Sequence, residues 1–236
     1  MTTAKDILKE LEPLGSEGYR RILRNHGGHD PMFGVKISEL QKIRKRIKTD
    51  YQLALDLFAT GNYDAMYLAG LIADDEKMTK KDLQSWVHSA KCSAIAECTV
   101  AWVAAEGPHG WDMALKWINS KQESVAAAGW STLSCWVALV DDGELNQIVL
   151  AKLLKNVETS LHKQPNRVRS AMNNFIISLG SYVKPLTAAA IEAGKGIGIV
   201  MVDVGSTACK VPDAVEGIKK IKARGSLGKK RKTVKC

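Results

Sequence analysis

All six tryptophans of this 236-residue chain lie between Asp82 and Val140, and the stretch that holds them repeats itself. Trp86-Val-His-Ser89 recurs as Trp117-Ile-Asn-Ser120 and Ser93-Ala-Ile-Ala96 as Ser124-Val-Ala-Ala127, both at an offset of 31; Trp102-Val-Ala recurs as Trp136-Val-Ala at 34. A period of 31 to 34 residues is the length of one helical hairpin. Such a unit cannot bury its apolar face alone, so hairpins stack into an α-solenoid. The expected fold is therefore all-α, built from antiparallel helical hairpins.

The rest of the chain divides in the same way. Ala4 to Leu11 forms a short helix stopped by Pro13 and Gly15, and Ser16 caps a second helix through Asn25. Beyond the turn at Gly27, Gly28 and Pro31, a helix beginning near Ser38 places Ile37, Leu40, Ile43 and Ile47 on one face. Lys42, Arg44, Lys45, Arg46 and Lys48 occupy much of the remainder. Tyr51 to Thr60 and Tyr63 to Ala73 make the first clear hairpin. Thr79 to Ser89 pairs with Ser93 to Glu106, Trp111 to Asn119 with Ser124 to Val140, and Glu144 to Leu161 with a helix from Asn166 to Tyr182. Ser124 to Val140 is apolar on nearly every side and should lie buried between layers. After a short helix ending near Ala193, Gly-Lys-Gly-Ile-Gly and a β-branched run predict a short extended segment near residues 197–204. Pro212 opens a last helix. Residues 1–224 read as one repeat domain and 225–236 as a disordered basic tail.

The net charge of +9 is concentrated at the end of the chain. Nine Lys and Arg and no acids follow from Lys219 onward, so the body before it balances 25 basic against 25 acidic side chains. Within that body, Tyr19 to Thr49 carries nine basic residues and two acids, and Asp50 to Ser160 eight and fifteen. A basic end with a basic tail is the footprint of polyanion binding, although a solvated face and a solubilising tail would look the same. Five cysteines without a CxxC pair argue against a zinc or disulfide framework, and the apolar run around the tryptophans is too short to span a membrane. These features predict a cytoplasmic, monomeric protein with DNA as its partner and no cofactor or metal. His26, His29 and Asp30, or His88 and Cys92, resemble metal ligands but supply too few in one place.

Phe33-Gly-Val-Lys-Ile-Ser-Glu-Leu-Gln-Lys-Ile-Arg-Lys-Arg-Ile47, the tandem tryptophan hairpins with Lys116-Trp117-Ile118 in register, and the helix near Arg167 carry a further signal. On these residues the chain resembles the AlkD-type DNA alkylation repair family, the HEAT-like repeat DNA glycosylases, over about residues 16 to 190. The resemblance implies a C-shaped solenoid with DNA in a basic concave groove. It also implies a catalytic carboxylate flanked by aromatic residues, which stabilise the sugar cation that develops when an alkylated base departs, and an arginine one hairpin later. Those positions fall on Glu97 for the carboxylate, Ser93 and Asn174 for tryptophans and Ala127 for the arginine. Three of the four lack the chemistry, and no arginine lies between Arg46 and Arg167 to replace the guanidinium.

The expected function is DNA binding, to duplex, damaged or branched DNA, with glycosylase activity weak or lost. Arg20, Arg21, Arg24, Lys42, Arg44, Lys45, Arg46 and Lys48 are the candidate phosphate contacts on one arm, and Arg167 and Arg169 on the other, where a helix N-terminus also favours phosphate. Two alternatives stay open: a working glycosylase built on Glu97, and a protein-interaction scaffold.

Overall fold

The computed structural model describes residues 2–235. Its helices are α1 (Ala4–Leu11), α2 (Glu17–Asn25), α3 (Ile37–Ile47), α4 (Tyr51–Ala59), α5 (Tyr63–Ile72), α6 (Lys80–Ser89), α7 (Ala101–Glu106), α8 (Gly110–Trp117), α9 (Glu123–Leu139), α10 (Gln147–Ser160), α11 (Asn166–Tyr182), α12 (Thr187–Ile197) and α13 (Ala214–Ala223). A π-helical segment, Ala94–Val100, runs directly into α7. Local chemistry starts several of these helices. The Ser16 hydroxyl accepts the Tyr19 N–H, Asn62 accepts the Asp64 and Ala65 N–H groups, and Thr79 and Asp82 form a reciprocal capping box.

The second helices of successive hairpins, α5, the π segment with α7, α9, α11 and α13, stack into an inner layer, while α4, α6, α8, α10 and α12 pack outside them. Every residue of α5 is buried, and α9 contributes Val125 and Ala128 to one apolar cluster and Trp130, Leu133 and Val137 to another. The inner helices are therefore apolar nearly all round because they have neighbours on nearly all sides. Trp86, Trp102, Trp117 and Trp130 are core residues, and Trp86 stacks on Phe58 at 4.0 Å. At Gly129 an added Cβ would come within 2.9 Å of the Trp117 side chain, so the repeat at Trp117 needs glycine on the facing helix.

The Phe33-Gly-Val motif has a structural basis. The Asp64 carboxylate, almost fully buried on α5, accepts the backbone N–H groups of Phe33 at 2.6 Å, Gly34 at 3.1 Å and Val35 at 2.9 Å. Gly34 has φ +77°, and a Cβ there would lie 2.7 Å from both Arg20 N and Ser16 O. A side chain at Gly34 would thus collide with the backbone of α2, and the loop could not deliver its three donors.

Two expectations from the sequence are corrected. No strand forms at residues 197–204: α12 continues to Ile197, because Gly194 packs against α13 where a Cβ would meet Val215 and Ala214, and the residues after it form an irregular loop. The tail is not disordered either. Residues 226–235 form a strap along the C-terminal ends of the inner helices, with Gly228 N donating to Ser181 O, Arg231 N to Ala138 O, and Val234 N to the Glu106 carboxylate. Exposed helix-end carbonyls and a row of acids make that edge a good counter-surface for a basic peptide.

Candidate nucleic-acid interface

Glu97 sits in the middle of the π segment with its side chain only 10% exposed. Both carboxylate oxygens accept from Arg167, Oε1 from Nε at 2.9 Å and Oε2 from Nη2 at 2.8 Å, in a fork-to-fork pair. Arg167 belongs to the first turn of α11. Its backbone N–H donates to Glu123 Oε1 at 2.6 Å, which fixes the start of α11 against α9 and aims the guanidinium back towards Glu97. A guanidinium thus does face the carboxylate, although no small shift of register supplies it. It comes from two hairpins further along, while Ala127 is fully buried in the core. Burial raises the Glu97 carboxyl above its ordinary value, against the opposing pull of Arg167, while the hydrogen bonds that Arg167 donates to Glu97 raise Arg167.

The pair forms the floor of a cavity of roughly 680 Å³. Arg24 to Gly27 at the end of α2 supply one wall, Ser93, Ala94 and Cys98 a second, and the loop at Asp203–Thr207 with Cys209 a third. That loop had no evident role in the sequence. Asn166 holds it by a double hydrogen bond to the Asp203 backbone, at 2.8 and 2.7 Å, and Asn173 Nδ2 donates to Pro212 O. No Phe, Tyr or Trp side chain lines the cavity, Asn174 is exposed, and Trp130 lines a different cavity.

The candidate phosphate ligands divide by what they already touch. Arg20 pairs with Glu17, Arg24 with Glu17 and Asp30, Lys42 with Glu39, and Arg46 with Glu10 at 2.6 Å. Arg167 is committed to Glu97, and Arg169 donates to Asn166 Oδ1. Among the described residues Arg21, Arg44, Lys45 and Lys48 are exposed and carry no ion pair. They do not share one surface: Arg24 borders the Glu97 cavity, whereas Arg44, Lys45 and Lys48 border a second cavity of about 390 Å³ closed by Thr233 and Lys235 of the strap. Arg20 and Lys42 pair with an acid three residues earlier on their own helix, a spacing the sequence shows, whereas the partners Asp30 of Arg24 and Glu10 of Arg46 lie on a turn and on another helix.

No group of three or more His, Cys, Asp or Glu side chains that could hold a metal ion occurs among the described residues, and no helix there is long and apolar enough to cross a membrane. His88 lies between Gln84 and Gln122, and His29 Nδ1 is 2.7 Å from Asp30 O.

The sequence pattern of the family described as DNA alkylation repair enzyme matches residues 7–217. The uncharacterized proteins Lin0241 of Listeria innocua serovar 6a and Lmo0209 of Listeria monocytogenes serovar 1/2a are each 32% identical over 230 residues, 95% of this chain and 99% of theirs. A solved structure is similar over 100% of both chains, with a TM-score of 0.92 and 37% identity. It is described as one of a new family of proteins related to the HEAT-like repeat DNA glycosylases with affinity for branched DNA structures.

Proposed function

The chain belongs to the DNA alkylation repair enzyme family, and within it we propose a protein that binds branched DNA through cationic surfaces without excising bases. The observation that carries this reading is the state of Glu97. Excision of an alkylated base relies on a carboxylate free to face the developing sugar cation and on aromatic faces that hold a cationic base. Here both oxygens of Glu97 are taken by Arg167, and no Phe, Tyr or Trp lines the cavity above them.

Fluorescence anisotropy with a four-way junction and a linear duplex of equal length tests the proposal. Tighter binding of the junction is expected, with log K falling linearly against log salt at about −0.9 per phosphate neutralised. Absence of binding to either DNA at low salt would overturn it. So would release of methylated bases from alkylated DNA that Glu97→Gln abolishes.

A further inference from the structure

The strap lays five cations along one acidic edge of the molecule. The C-terminal ends of α5, α7, α9 and α11 lie in a row beneath it, and each helix end carries about half a negative charge. Asp75, Glu106, Asp141 and Asp142 stand among them. Left bare, this edge would repel phosphate. Two lysines of the strap turn inward and pair with two of these acids. Lys230 Nζ bonds Asp142 at 2.8 Å and Val137 O at 2.9 Å, and Lys235 Nζ bonds Asp75 at 2.7 Å with its side chain only 6% exposed. Lys229, Arg231 and Lys232 turn outward, are exposed, and form no ion pair among the described residues. Arg44, Lys45 and Lys48 of α3 meet the same strap around the second cavity.

The other edge of the inner layer, where α11 and the π segment begin, carries the Glu97 cavity and Arg24. The 17 residues of α11 separate the two edges by about 25 Å. That distance is comparable with the width of a duplex. We propose that the outward cations of the strap, together with those of α3, form a second phosphate-binding surface that takes one arm of a branched DNA while the opposite edge takes another. This rests on the branched-DNA reading above, and it gives that preference a cause: a linear duplex engages one edge, a junction both.

The triple variant Lys229→Gln, Arg231→Gln, Lys232→Gln keeps both anchoring lysines and so keeps the strap in place. Its junction affinity should drop on the order of 10-fold at about 0.1 M salt, with the salt slope shallower by up to about 3, while linear-duplex affinity changes less than twofold. The triple variant Arg44→Gln, Lys45→Gln, Lys48→Gln, on another element, should lose the same preference. Junction affinity unchanged in the strap variant, or an equal loss for junction and duplex, would overturn the second surface while leaving DNA binding intact. A wild-type chain that binds neither DNA would overturn both proposals.

Discussion

Glu97 is held from a residue seventy positions away, past the first turn of an intervening helix. A buried carboxylate is tolerable only because Arg167 and its two hydrogen bonds replace the lost water. Arg167→Met should therefore destabilise the fold by about 2 kcal/mol, less than for a fully enclosed pair because the guanidinium keeps some solvent contact. Adding Glu97→Leu should recover most of that loss in urea unfolding; a double variant as unstable as the single one would count against the ion pair as the cause. In the sequence the family resemblance alone marked Glu97 as a candidate carboxylate and Ser93 as a lost aromatic. Its partner was not. A repeat pattern pairs residues one period apart, and nothing in the local sequence around Arg167 says that its long side chain folds back over Glu123.

Periodicity and caps located the helices well where an element is defined by its own residues, as at Ser16, Thr79 and the Trp117 hairpin. They failed where packing decides. The π segment at Ala94–Val100 has the composition of an α-helix, and its wider turn is invisible to a 3.6-residue period. Gly194 and Gly196 look like helix breakers, yet α12 runs through them because α13 packs close to Gly194. The end of the strap is an element whose hold depends on pH. Burial pushes the Asp75 carboxyl up to about 6, with Lys235 opposing the rise. A folded-state value above the unfolded 3.8 means that this group's contribution to stability is fully present below about pH 3.8 and is lost as pH rises through about 6. Stability of the wild type relative to Asp75→Asn should therefore fall between pH 4 and 6.5 and level off above that. A flat difference across that window in chemical denaturation would show that Asp75 titrates normally.

Across the whole molecule, the inner layer is fastened at one edge by a peptide with no regular structure of its own. Truncation before Ser226 removes the Lys230 and Lys235 ion pairs, the backbone bonds to Ser181 and Ala138, and the burial of Val234. We expect a loss of about 3 kcal/mol, seen as a Tm lower by roughly 6–12 °C for a chain of this size. An unchanged melting curve would mean that the strap rests on the surface without holding it. The sequence by itself determined the all-α hairpin architecture, the buried tryptophans and the basic stretches, since each is written in spacing or composition within one repeat. Only the tertiary structure decided which cations are free, which arginine faces Glu97, and that the tail is a strap. The arginine and the strap depend on contacts between residues 44 to 160 positions apart, where charge pairing and helix-end carbonyls, rather than local pattern, select the partner, and the free cations depend on pairs across elements, such as Arg46 with Glu10, as well as within one helix.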